Sequence, residues 1–133
     1  SVAKQKSNDP TSGPRHYLSP SGIEIVVGRN NKQNDLIRRQ SSGDYWWFHT
    51  QKIPGAHVIL KSSNPEEDDL LTAANLAALF SRGSEDSLVI VDSARVKHVR
   101  KPTGAKPGFV LYDNERTYMI KPYLNLLDKL QTP

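Results

Sequence analysis

The stretch DYWWFHTQKIPGAHVIL, residues 44–60, contains two apolar runs on either side of a Pro-Gly turn, and it decides the fold. The first run is extended and rich in aromatic residues, and residues 57–60 read as its partner strand. Strand alternation puts Tyr45, Trp47 and His49 on one face and the residues between them on the other. We expect one face to join the core and the other to present its rings.

Strands and helices follow one another in a mixed order along the chain. The predicted helices are one capped by Asn30 or Asn31 and running to about Arg39, one capped by Asn64 and ending at Gly83, and a terminal helix at 123–130. The other predicted strands are 15–18, 23–27, 88–91 with a continuation towards Val99, 109–112 and 117–121. Because strand and helix do not alternate regularly, the sequence predicts an α+β fold with a mixed, mostly antiparallel sheet and two to three helices.

Composition sets the domain boundaries and excludes several classes of protein. The chain has 133 residues, a formal net charge of +4 and no cysteine, which excludes disulfide frameworks, cysteine-ligated zinc and thiol nucleophiles. Residues 1–14 are almost without apolar side chains and are predicted to be a disordered tail or linker, which leaves 15–133 as a single domain. No apolar run approaches the roughly 20 residues that cross a bilayer, and the N-terminus has no apolar signal segment. We expect a cytoplasmic protein that contacts no membrane and needs no metal or cofactor.

The first segment with candidate binding chemistry is GRNNKQND, residues 28–35. A strand that ends in glycine and opens into a helix leaves backbone amides unpaired, and such amides bind anions. Arg29 and Lys32 add positive charge, while the asparagines and the glutamine offer amide groups to bases or sugars. The alternative is that an asparagine only caps the helix and the other side chains are solvated.

The second segment is the aromatic strand with the histidines that follow it. An exposed Trp47 or His49 ring would provide a surface on which an unpaired base stacks, a contact of ~1–3 kcal/mol per base. The alternative is that the tryptophans pack in the core. His49 and His57 lie on either side of the Pro-Gly turn, and we expect them to face each other as a hydrogen-bonded structural pair rather than as metal ligands.

The third segment, residues 93–112, contains no acidic residue and the five basic residues Arg95, Lys97, Arg100, Lys101 and Lys106. Prolines and glycines shape its second half into a loop in which Lys101 and Lys106 can flank an oxyanion, as phosphate-backbone binding requires. The alternative is a solvated run of charge that pairs with the acidic stretch 66–69. If the fold brings the first and third segments onto one face, away from that stretch, the protein has a directed basic surface.

Together, GRNNKQND, WFH followed by PGAHVIL, and VKHVRKPTGAKPG resemble the NFACT-R domain, the RNA-binding module of the NFACT family, which includes fibronectin-binding-protein homologues. The similarity extends over about residues 15–121. The resemblance implies an α+β domain without catalytic residues that binds tRNA and/or large-subunit rRNA. It also implies a cytoplasmic protein of ribosome-associated quality control, which associates with the 50S-type subunit and supports C-terminal tailing of stalled nascent chains.

The resemblance assigns RNA contacts to side chains within these motifs and assigns no catalytic or metal-binding residue. The assigned residues are Arg29, Asn30, Asn31, Lys32, Asn34, Trp47, His49, His57, Lys97, Arg100, Lys101 and Lys106. Two other functions stay open: an RNA phosphodiesterase that uses His49, His57 and Asp92 for acid–base chemistry, and a fibronectin-binding adhesin. The sequence also leaves open the particular RNA, the oligomeric state, and whether the chain is a fragment or a stand-alone domain.

Overall fold

The computed structural model describes residues 13–84, 88–123 and 125–133, so most of the predicted tail lies outside the described residues. Within these ranges the chain forms eight strands and three α-helices. In chain order they are β1 Arg15–Leu18, β2 Glu24–Val27, α1 Asn31–Arg39, β3 Trp46–Thr50, β4 Val58–Leu60, α2 Glu67–Leu79, β5 Val89–Arg95, β6 Val99–Arg100, β7 Leu111–Tyr112, β8 Arg116–Ile120 and α3 Leu126–Lys129. A short 3₁₀ helix, Val96–His98, connects β5 to β6.

Six strands form one sheet in the order β1-β2-β4-β3-β5-β8, with every neighbouring pair antiparallel. The other two, β6 and β7, pair with each other. The aromatic strand β3 lies inside the sheet, where Trp47 pairs with Ile59 of β4 on one side and with Ala94 of β5 on the other. These observations confirm the predicted α+β class, with an antiparallel sheet and three helices.

Both faces of the sheet are covered. The face that carries Trp46 and Phe48 packs against α2 in one core. The opposite face, which carries Trp47, packs against Ile37 of α1 and against apolar residues of the segment 96–112 in a second core. The central strands are therefore apolar at successive positions, because each face buries a layer. The prediction of an open aromatic face on β3 is wrong, since α1 and the segment 96–112 cover it.

The first helix begins where the sequence predicts, and the second does not. Asn30 caps α1, and its side chain accepts a backbone N–H at 2.9 Å. Glu66, not Asn64, caps α2, in a capping box where Asp69 Oδ2 accepts the N–H of Glu66 at 2.9 Å. Asp69 also accepts hydrogen bonds from the backbone and hydroxyl of Ser21 in the β1–β2 turn. This long-range contact fixes the helix start, and local spacing does not reveal it.

Other predicted boundaries shift for similar reasons. The second helix ends at Leu79 instead of Gly83, because the following chain pairs with the Pro-Gly turn through a bridge between Gly55 and Ser81. The strand predicted at 109–112 shrinks to the two residues of β7, and the predicted terminal helix to the four residues of α3. Across the described ranges, no helix has the length and apolar character needed to span a membrane.

Candidate nucleic-acid interface

Three of the predicted segments meet at Gly108. The carbonyl of Gly108 lies 3.0 Å from His57 Nε2, and its N–H donates to Asp35 Oδ2 at 3.1 Å. Gly108 has a φ of +86°, and a Cβ here would lie 2.5 Å from Asn31 Oδ1, so only glycine fits. We term this meeting point the Gly108 junction, formed by Asn31, Asp35, His57 and Gly108. It confirms that the first and third segments share one face of the sheet, while α2 packs on the other.

His57 is held inside this junction by both of its ring nitrogens. The indole N–H of Trp47 donates to His57 Nδ1 at 3.0 Å, so the ring proton sits on Nε2 and is donated to the Gly108 carbonyl. Burial, together with the neighbouring His49, lowers the pKa of His57 to about 3 and keeps the ring neutral. Trp47 is 0% and His57 is 1% exposed. The structure contradicts the RNA contacts predicted for Trp47 and His57, because neither ring reaches the surface.

The start of α1 is closed by its own side chains. Asn34 is 2% exposed, and its Oδ1 accepts the backbone N–H of His57 at 3.0 Å. The N–H of Arg29 donates to Gln33 Oε1 at 2.8 Å, and the N–H of Gln33 donates to Asn30. Two of the backbone amides predicted to bind an anion, those of Arg29 and Gln33, are thus bonded to side chains of the protein. Asn34 is buried and stabilises the fold, whereas Asn30 caps the helix and is exposed beside it.

Lys101 stabilises the loop between β6 and β7 through hydrogen bonds and an ion pair. Its Nζ lies 3.2 Å from Asp35 Oδ2 and donates to the carbonyls of Lys106 at 2.5 Å and Phe109 at 3.1 Å. Burial alone would raise the pKa of Asp35, but a backbone hydrogen bond and the cations of Lys101 and Arg38 outweigh it and lower that pKa. The ammonium group of Lys101 is therefore bonded within the protein, and the phosphate contact predicted for it stays a prediction.

We expect Lys101→Met to lower the free energy of unfolding by about 2 kcal/mol, because a buried carboxylate and two carbonyls lose their donor. Arg100→Met is the control, since Arg100 is exposed and its replacement should change stability by less than ~0.5 kcal/mol. Urea unfolding of both variants measures the difference. In an Asp35→Asn background the cost of Lys101→Met should shrink, and an unchanged cost there would contradict the ion pair as its cause.

The remaining predicted residues lie wholly or partly at the surface. The exposed ones are Arg29, Asn31, Lys32, Lys97, Arg100 and Lys106. Lys97 forms an ion pair of 3.2 Å with Asp44, close to the beginning of β3. His49 is half-buried, and burial lowers its pKa against the opposing effect of hydrogen bonds with the backbone of Gly55 and Thr50.

A polar groove of about 380 Å³ lies beside the start of α1. One wall is formed by residues 54–56, which two backbone hydrogen bonds of 3.0 Å hold to the chain after α2. This pairing brings Arg82 to the groove together with Arg29 and Arg15. The guanidinium of Arg15 lies 4.7 Å from the ring centroid of Phe80. Three arginines around one groove suit a phosphate. Sequence reasoning missed Arg15 and Arg82, because only the pairing of distant segments places them here.

A second cavity, of about 350 Å³, shares Pro54 with this groove. His49 and Tyr112 line it, and Phe109, which is 53% exposed, lies at its rim. The rings of His49 and His57 face each other as predicted, with centroids 5.0 Å apart, although His57 bonds elsewhere. Sequence reasoning missed Phe109. An aromatic residue directly after a basic Pro-Gly loop is the signal that would have found it.

An α+β domain with clustered exposed cations, an arginine-lined groove and an exposed aromatic ring has the features of an RNA-binding module. The family model described as the NFACT protein RNA binding domain matches residues 14–107. The chain belongs to this family, as the sequence motifs predict.

Longer curated proteins contain a similar segment. The chain is 44% identical over 129 residues to a Bacillus subtilis (strain 168) protein named Rqc2 homolog RqcH, covering 96% of this chain and 22% of that protein. A Streptococcus suis (strain 05ZYH33) protein of the same name is 42% identical over 112 residues. The match covers 82% of this chain and 20% of that protein. The chain thus spans about a fifth of the length of these relatives. One similar solved structure is the C-terminal of the fibronectin/fibrinogen-binding protein from Streptococcus suis, with a TM-score of 0.85 and 37% sequence identity. The match covers 90% of this chain and 50% of the chain in that structure.

Proposed function

We propose that the chain is a non-catalytic module that binds structured RNA, tRNA and/or large-subunit rRNA, through its phosphates. The observation that carries the proposal is the Gly108 junction, which joins two basic segments that are distant in the chain. The exposed cations of these segments are Arg29, Lys32, Arg100 and Lys106, and the arginine-lined groove opens at the start of the first segment. Cations clustered in this way neutralise phosphates and release counterions, which favours binding.

The loop that carries Lys106 is ordered by contacts within the protein. Lys101 bonds to two of its carbonyls, and Gly108 is bound through both its N–H and its carbonyl. A loop that is fixed in advance loses little conformational entropy when it meets a ligand. This order supports a binding role for the loop.

The groups that an RNA phosphodiesterase would use are engaged in the structure. Both ring nitrogens of His57 are bonded, and its low pKa keeps it neutral because it is buried. Asp92 accepts hydrogen bonds from the Tyr112 hydroxyl at 2.5 Å and from Thr117 Oγ1 at 2.8 Å. Acid–base catalysis needs groups that can exchange protons with one substrate. These contacts support binding over cleavage.

The relatives named Rqc2 homolog RqcH suggest the cellular setting. From that similarity we propose that the module acts in the cytoplasm, in ribosome-associated quality control on the 50S-type subunit, and supports C-terminal tailing of stalled nascent chains. The Streptococcus suis structure is described as part of a fibronectin/fibrinogen-binding protein. For this chain, the basic surface around the Gly108 junction favours RNA.

The test is the salt dependence of tRNA binding, measured by fluorescence anisotropy. The affinity of the wild type should fall steeply as salt rises, because each neutralised phosphate contributes roughly 0.7–0.9 to the slope of log K against log salt. The double variant Arg100→Gln, Lys106→Gln should bind about tenfold more weakly and lose roughly 1–2 units of that slope.

A charge-matched control removes two exposed cations beside α2, with Lys121→Gln and Lys129→Gln. This control should bind nearly as well as the wild type. If both double variants lost the same affinity for tRNA, net charge alone would explain the effect. That result would contradict the assigned surface. A wild type that does not bind tRNA would refute the proposed function.

A further inference from the structure

The cavity beside His49 is not used by the phosphate contacts proposed above. It measures about 350 Å³, and its lining includes His49, Lys52, Phe109 and Tyr112. Ligand pockets in proteins measure roughly 300–1,000 Å³ and combine apolar walls with a few polar groups. We term this space the His49 cavity. Its size and lining suit one planar ring with polar groups at its edge.

Phe109 presents its ring at the rim of the His49 cavity. Its N–H donates to the carbonyl of Lys106 at 3.1 Å, and its own carbonyl accepts from Lys101 Nζ at 3.1 Å. The preceding Gly108 is bonded at both its N–H and its carbonyl, so the backbone on which the ring stands is fixed. A rigid, solvent-facing aromatic ring on a basic surface is a stacking platform, because every base has a π face.

The inner part of the His49 cavity is polar and rigid. Burial lowers the pKa of His49, so its imidazole is neutral at neutral pH, and hydrogen bonds with the backbone of Gly55 and Thr50 hold the ring in place. Behind it the rings of Tyr112 and Trp47 pack with centroids 4.7 Å apart. The cavity thus has a fixed aromatic back wall beside a neutral imidazole.

Lys52 adds positive charge at the same cavity. It is exposed and has a φ of 60°, a left-handed conformation that is uncommon for a residue with a side chain. A cation here can contact the phosphate of a nucleotide whose base enters the cavity. Uncommon backbone conformations of this kind concentrate at ligand-binding sites.

We propose that the His49 cavity takes one unpaired nucleobase of the bound RNA, which stacks on Phe109 while Lys52 contacts its phosphate. The inference rests on the proposed function and adds to it that the preferred RNA contains an unpaired nucleotide. A fully paired helix does not offer such a base, because its bases are stacked on one another.

The test compares two hairpin RNAs that carry a single bulged nucleotide, an adenosine in one and an abasic residue in the other. The wild type should bind the adenosine RNA about tenfold more tightly, the size expected for one stacked base. Phe109→Ala should bind the two RNAs equally, and Phe109→Trp should keep the preference. Anisotropy titrations of the wild type and Phe109→Ala, each with both RNAs, give the coupling between the ring and the base.

Tyr123→Ala is the matched control, since Tyr123 is 60% exposed and lies beside α2 on the other side of the sheet. It should keep the full preference for adenosine. A wild type without that preference, or a Phe109→Ala variant that retains it, would overturn the inference and leave the proposed function standing. If the wild type binds neither RNA, the proposed function and the inference fail together.

Discussion

Lowering the pH from 7 to 5 is expected to reduce the free energy of unfolding by about 2 kcal/mol through His57 alone. Burial and the neighbouring His49 hold the pKa of His57 at about 3 in the folded protein. In the unfolded chain the pKa of a histidine is about 6.5. Below that value the unfolded chain binds a proton that the folded ring does not, so each further pH unit costs about 1.4 kcal/mol. This contribution is complete above pH ~6.5 and is lost as the pH falls towards 3.

Between pH 7 and pH 5, the change in the free energy of unfolding comes from histidines and not from carboxylates. Hydrogen bonding and charge lower the pKa of Asp35, and Lys61 lowers the pKa of Glu24. Stability from such carboxylates is present above their unfolded pKa of about 4 and is lost only as the pH falls below it. His49, whose pKa is also lowered by burial, acts with the same sign as His57.

Urea unfolding of the wild type and of His57→Gln at pH 7, 6 and 5 measures the effect. The variant should be less stable at pH 7, because Trp47 and Gly108 lose their partner, but its stability should depend less on pH. Leu36→Gln is the control, since Leu36 is exposed and carries no titratable group, and it should keep the wild-type pH dependence. A variant with the wild-type pH dependence would contradict the role of His57. An NMR titration of the wild type, with His57 Nδ1 unprotonated at pH 5, is an independent check.

The local elements of this fold are predictable because their signals lie within a few residues of each other. Two apolar runs on either side of a Pro-Gly turn identify the central strands, and the asparagines at 30 and 31 mark the start of α1. The burial of Trp47 cannot be predicted from local sequence, because it depends on the segment 96–112 folding back over β3. A tryptophan in a strand does not itself indicate whether its face is open. Phe109, in the segment that covers Trp47, is an exposed ring instead.

The sequence shows which segments are rich in basic residues, but it does not show the structural role of each residue. Arg100 and Lys101 are neighbours with the same charge, and neighbouring side chains of an extended chain point in opposite directions. Lys101 meets the buried carboxylate of Asp35, which lies far earlier in the sequence, while Arg100 stays exposed. Only the tertiary contact between α1 and the basic loop distinguishes the cation that holds the loop from the one that stays exposed.

Gly28→Ala is expected to lower the free energy of unfolding by about 3 kcal/mol. A Cβ on Gly28 would overlap Asn34 Oδ1 and lie 3.0 Å from the backbone nitrogen of Asn34. That Oδ1 accepts the buried N–H of His57, so the new methyl group both crowds the core and leaves a donor unpaired. Each of these effects costs ~1–3 kcal/mol. Urea unfolding measures the loss. Gly13→Ala is the control and should change little, because nothing lies within 4 Å of its Cβ position.

A double-mutant cycle with Asn34→Ala tests the cause of this loss. Without Oδ1 the added methyl group meets only the backbone nitrogen, so Gly28→Ala should cost about 1 kcal/mol in that background. An equal cost in both backgrounds would contradict the proposed overlap. Gly28 also donates its N–H to the carbonyl of His57 at 3.1 Å, and His57 holds Gly108. The variant should therefore also weaken tRNA binding through the displaced loop, whereas Gly13→Ala should leave it unchanged.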